Sequence, residues 1–274
     1  MTHETAVNIL LERYREIFER KRNGEVQNWA CKKESGEELI RCSIPFVGKR
    51  YFEQPVKILV YASAENLNHD RAYLENDSFA ENRHRICFEK SLDGSDAFPN
   101  LHIQPFNNGA LVLVACHVMS KLTEIGDCSP SEFLETIACA NYGKYTVDPR
   151  KKGVNTDYAK DPSKLGESQD YIRADIEILR PDYIIMVRQM YEGLGKQKNF
   201  IDGIKGNAEV IPIYQITPTT INNPRTFRKY PPAKLENLHP TIQRWYPHFH
   251  AGAVSSPYFL SVFAYLDDVC RKNE

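Results

Sequence analysis

Residues 163–188 read SKLGESQDYIRADIEILRPDYIIMVR, and the change of hydrophobic period inside this stretch decides the fold. Leu165, Tyr171, Ile172, Ile176 and Leu179 recur on one face of a helix over 163–179, and Pro181 terminates it. The chain then passes at once into DYIIMVR, a short apolar run that reads as a buried strand. A helix handing the chain straight to a buried strand is the repeating unit of an α/β sheet.

The same alternation extends in both directions. Upstream, Val56–Ala62 is a short apolar run after a proline, whose length and β-branching favour a strand. Residues 110–122, ALVLVACHVMSKL, fit either strand or helix, and their spacing toward the next elements favours a buried helix. Ser129-Pro130-Ser131-Glu132 looks like a helix start, and Thr136 to Ala140 is the second strand candidate. Downstream, a Gly-rich turn at 193–196 and the run AEVIPIYQI supply a further crossover and a fourth strand. Residues 4–22 form an amphipathic helix on Ala6, Ile9, Leu10, Tyr14 and Phe18, stopped by Asn23-Gly24. Residues 70–92 are charge-rich and helical in pattern, and a last helix spans 257–271.

These elements predict a three-layer α/β/α sandwich around a short, mostly parallel sheet of about four strands, with right-handed crossovers. Residues 1–274 read as a single α/β domain, with 1–45 as a helical extension and 217–257 as an irregular aromatic and basic loop. No internal repeat or low-complexity segment is present.

Composition narrows the class. An apolar share of 42% and a charged share of 26% are ordinary for a globular chain. No stretch approaches the ~18 apolar residues of a membrane span, and the charged amino terminus lacks the apolar core of a signal peptide. Seven cysteines form no C-x-x-C pair and are odd in number, which favours reduced, structural thiols and a cytoplasmic protein. Lys+Arg (35) and Asp+Glu (36) nearly cancel, so nucleic-acid binding would need a local basic groove.

In such folds ligands gather at the carboxyl ends of the strands. That rule selects Ser63 to Asn66, Asn141, Arg188 and Gln189, and Gln215 to Thr217. An amide at Asn141 offers both donor and acceptor for the edge of a nucleobase, and Lys144 suits a phosphate. The plainer reading is an asparagine in a turn beside a solvated lysine. Glu65 and Asn66 suit the polarisation of a water, or else cap the helix that follows. Ser63 lacks both glycines of a hydrolase nucleophile elbow.

His239-Pro240-Thr241 lies in a tail with Arg244, Trp245, Tyr246, His248 and His250. A constrained histidine can stabilise charge on a leaving group, and aromatics interleaved with arginine suit stacking and phosphate contact. A surface loop packed on its own aromatics accounts for the same pattern. His248 and His250 have no third metal ligand in the sequence.

The order of three stretches, KILVYASAEN (57–66), ETIACANYGKYTV (135–147) and IEILRPDYIIMV (176–187), resembles the uracil-DNA glycosylase superfamily, as a divergent member. LHPTIQRWYPHF (238–249) is similar to that family's late His-Pro-Ser loop. The likeness covers roughly residues 45–260. It departs from the family at the first loop, where the Gly, Pro and Asp are absent and Ser63, Glu65 or Asn66 stand in. In several branches the late motif directly follows the last strand, a place held here by Gln215-Ile216-Thr217.

The resemblance implies hydrolysis of the N-glycosidic bond of uracil or another damaged base flipped from single- or double-stranded DNA. Its catalytic residues would be Glu65, Asn66 and His239. Asn141, Phe88 (with Phe106 as a second choice) and Ser63 would hold the base, and Lys144, Thr241 and Arg244 the nucleic acid. It calls for no metal and no cofactor, and points to no membrane and no particular protein partner. The alternative on the same fold is a nucleic-acid- or nucleotide-binding protein without turnover.

Overall fold

The computed structural model describes residues 1–22, 31–32, 38–39, 45–66, 108–147, 166–193, 197–213, 229–245 and 259–271. Its centre is a five-stranded sheet of β1 (Phe46–Val47), β2 (Ile58–Asn66), β3 (Ala138–Val147), β4 (Tyr183–Val187) and β5 (Glu209–Ile213). The order across the sheet is β1-β3-β2-β4-β5. β1 runs antiparallel to β3, and the remaining neighbours are parallel.

Side-chain alternation along β2 explains its central place. Ile58, Val60 and Ala62 join one core cluster, Leu59 and Tyr61 join the other, and all five are buried. A parallel strand with two buried faces needs cover on both. The first face is closed by α2 (Asn108–Leu122), α3 (Pro130–Leu134), α7 (Pro240–Trp245) and α8 (Phe259–Arg271). The second is closed by α1 (His3–Arg22), α4 (Gln169–Leu179), the short α5 (Arg188–Tyr191) and α6 (Lys198–Ile204). The chain is thus mixed α/β, with a mostly parallel sheet and helices on both sides.

Several sequence expectations are met with small shifts of boundary. Residues 108–122 are a helix, buried through Leu113, Val114, Ala115, Cys116, Val118 and Met119. Tyr171, Ile172, Ile176 and Leu179 form the buried face of α4, whose last turn gives way to Arg180 in the left-handed region (φ 48°) before Pro181. α3 starts as its sequence suggested: Ser129 N–H donates to Glu132 Oε2 (2.6 Å), and Glu132 N–H donates back to Ser129 Oγ (3.2 Å).

Other features differ. The sheet has a fifth strand, β1, too short at two residues to show a period. It is pinned by Gly48, whose N–H donates to Ile137 O (2.9 Å). A side chain at Gly48 would collide with the Glu135 carbonyl, so close backbone approach requires glycine there. The second strand continues to Val147 instead of ending near Asn141. The first helix, read as an extension, supplies Ala6, Leu10, Tyr14 and Ile17 to the buried interior. Part of the tail read as irregular is ordered into a turn at Leu235–Asn237 and into α7. The helical reading of 70–92 lies outside the described residues.

Among the described residues no helix is long and apolar enough to cross a membrane. Cys116, Cys128, Cys139 and Cys270 are free thiols.

Candidate functional site

Connectivity marks where a ligand would sit. β2 leads onward to α2 on the first face, whereas β4 leads to α6 on the second. Between two neighbouring strands whose connections leave in opposite directions, a crevice opens at their carboxyl ends. The flanking segments here are Ser63–Asn66 at the end of β2 and Arg188 at the end of β4, with the end of β3 beside β2.

The ladder between β2 and β3 breaks at that edge. Ala62 pairs with Asn141 and Ala64 with Gly143, but Asn66 pairs with Val147. Two steps along β2 therefore match four along β3, and β3 bulges over Lys144, Tyr145 and Thr146. Bulges bend a strand and re-aim its side chains. Lys144 makes the bend visible, since its backbone N–H donates to the Ser168 hydroxyl (3.0 Å) just ahead of α4.

The Lys144 side chain turns inward. Its Nζ donates to Asp175 Oδ2 at 2.6 Å, and both side chains are 0% exposed. Tyr14 donates to Asp175 Oδ1 (2.5 Å) and Tyr61 to Oδ2 (2.8 Å). The ammonium also lies 5.4 Å from the ring centroid of each tyrosine. Burial pushes the Asp175 carboxyl above the usual aspartate range, against the pull of Lys144 and both hydroxyls. Burial, with the Asp175 charge adding to it, also pushes the Tyr61 hydroxyl well up, so it stays a donor. Beyond this network, Tyr142 and Gln169 both donate to Gln197 Oε1, at 3.1 and 2.9 Å. The phosphate contact that the sequence suggests for Lys144 does not form, because a fully enclosed ammonium bound to a carboxylate cannot reach DNA.

His239 belongs to the other end of the sheet. The Thr136 hydroxyl lies 3.9 Å from Met119 Sδ, tying the last turn of α2 to the approach to β3, so the loop after α2 lies at the amino-terminal edge. His239 docks on that loop, its Nε2 bonded to Ile125 O (3.0 Å). Its Nδ1 accepts from Thr241 N–H (3.3 Å), which makes Nε2 the protonated nitrogen and caps α7, with Pro240 in the first turn. Thr241 is buried and donates to Cys128 O (2.8 Å). Arg244 is half-exposed and paired with Asp127. A cleft of about 840 Å³ opens beside His239, lined by Ser120 to Gly126.

The structure therefore does not bring the expected constellation together. His239 and Thr241 start a helix at the amino edge, away from Ser63, Glu65 and Asn66 at the carboxyl edge. Asn141, 2% exposed, is inside β3 instead of at its end. Phe88, Phe106, Gln215, Tyr246, His248 and His250 lie outside the described residues. Among the described residues no three His, Cys, Asp or Glu side chains gather as metal ligands.

Sequence reasoning missed Asp175. Its position on the apolar stripe of α4, between Ile172 and Leu179, was a legible sign of a buried charge in need of a cation. No protein-family model, curated protein or solved structure matches the chain.

Proposed function

We propose that the chain is a DNA glycosylase-like protein that takes one extruded base of DNA at the carboxyl edge of β2 and β3, on a uracil-DNA-glycosylase-like fold. The observation that supports this is the register break between Ala64 and Asn66, beside the topological switch. Ser63 is the candidate for contacting the base edge, since Asn141 is enclosed within β3 as Lys144 is. Glu65 or Asn66 is the candidate for holding water against the anomeric carbon. The activity is hydrolysis of the N-glycosidic bond of uracil or another damaged base, and it calls for neither metal nor organic cofactor. His239 has no part in it, since its ring is engaged at the opposite edge.

That displacement also favours the second reading, a protein that binds nucleic acid or nucleotides on this fold without turnover, because His239 is not at that edge to stabilise the departing base anion. Uracil-containing single- and double-stranded oligonucleotides separate the two. Abasic product that Glu65→Ala or Asn66→Ala diminishes establishes the hydrolase. Affinity that falls steeply with salt, without abasic product, establishes the binding protein. Neither product nor affinity across several lesions overturns both.

A further inference from the structure

Lys144 is an expensive residue to enclose. A buried ion pair is no more stabilising, as a rule, than apolar side chains of the same shape, so it needs another reason to be there. Its place in the chain suggests one. Lys144 opens the bulge of β3, one residue beyond the last regular partner, Gly143, and three beyond Asn141. Its main chain is taken out of the ladder by Ser168, and its side chain is drawn to Asp175. Both holds come from α4 and the residue that precedes it, while Tyr61 anchors the same carboxylate to β2 and Tyr14 anchors it to α1. Four separate segments thus meet on one carboxylate directly behind the irregular strand end.

We infer that the Lys144–Asp175 pair, with Tyr14 and Tyr61, is a positioning device that holds the bulged carboxyl end of β3 in its binding geometry. Its ligand arm rests on the reading of that edge as a base-binding site. None of the four residues touches the ligand; they act through the backbone of residues 141–147. The first helix is thereby part of the site's support, because Tyr14 is one of the three donors to Asp175.

The test replaces the pair by apolar residues of similar size, Lys144→Met with Asp175→Leu, and removes the two hydroxyls that would lose their acceptor, with Tyr14→Phe and Tyr61→Phe. The paired variant folds with a melting temperature close to the parent's, since the buried charges leave together. Its backbone amides over 142–147 exchange at least tenfold faster, while those of β4 and β5 keep parental rates. Its affinity for a uracil-containing oligonucleotide falls at least tenfold with an unchanged salt slope, since phosphate contacts are untouched. Parental exchange over 142–147, or faster exchange with parental affinity, overturns the inference. Should the parent bind no oligonucleotide, the functional reading fails alone, and the exchange measurement still decides the positioning role. Should the paired variant not fold, Tyr14→Phe carries the same two readouts, with an expected change of about threefold in each; parental values in both would refute the device.

Discussion

The two faces of the sheet are closed by different chemistry. Against α2, α7 and α8 the strands present Val60, Ala62, Cys139, Ile185 and Ile211, met by Leu113, Val118, Ile242, Phe263 and Leu266. A buried imidazole on that side, His117, is held by α8: its Nε2 bonds Asp267 Oδ1 at 2.8 Å and its ring packs against Phe263. Against α1 and α4 the interior is rich in tyrosine, with Tyr14, Tyr61, Tyr142 and Tyr171 all buried around the Lys144–Asp175 pair. One face is closed mainly by apolar packing. The other encloses an ion pair whose charges and hydroxyls need one another. The bulge lies at the carboxyl edge, and the network reaches it from the polar face.

Substitutions can break this contrast. Asp175→Ala has the largest expected effect, about 3–5 kcal/mol of unfolding free energy, because it leaves the Lys144 ammonium enclosed and unpaired. Adding Lys144→Met should restore part of the loss in denaturant titrations, the Tyr14 and Tyr61 hydroxyls still lacking their acceptor. A cost below about 1 kcal/mol for Asp175→Ala would mean that water reaches the pair and that the two faces do not differ in kind.

Leu113→Ala, on the aliphatic face, should cost about 2–5 kcal/mol by cavity formation, with an unchanged urea slope. Here no second substitution that removes a polar group should restore stability. If one does, that face relies on a hidden polar contact and does not differ in kind from the other.

The smallest effect sharpens the contrast with an exposed carboxylate. Glu132 accepts from the Ser129 N–H, and this bond, with the Ser129 hydroxyl beside it, holds its carboxyl below the ordinary value of 4.5. The folded form thus binds its proton more weakly than the unfolded chain does. The stabilisation is present above the ordinary value and is lost as pH falls through the depressed one. Glu132→Gln should flatten that acid-side loss of thermal stability by a small margin, and an unchanged pH profile would show that the cap at α3 does not contribute.

Much of this architecture was readable from the residues. The strand at 183–187 and the helix before it follow from a change of period across Pro181, a local property that survives into the fold. β1 was not readable, because two residues carry no period and its pairing depends on Gly48 meeting Glu135. The candidate site was less legible still. His239-Pro240-Thr241 has the composition of a charge-stabilising loop, and also that of a helix start with its cap and first-turn proline; only its docking partner, Ile125 O, separates the two.

The sequence by itself determined the class of the chain and the sites of its main helices and strands, since hydrophobic period, prolines and capping residues act over a few neighbours. Tertiary structure alone decided that Lys144 points inward, that His239 lies at the amino edge, and that β3 runs past Asn141. Each of these depends on a partner far along the chain: Asp175 for Lys144, Ile125 for His239, and the end of β2 for β3. Such contacts leave no periodic trace, and the free energy of a buried charge or a ladder pair is settled only when both halves meet.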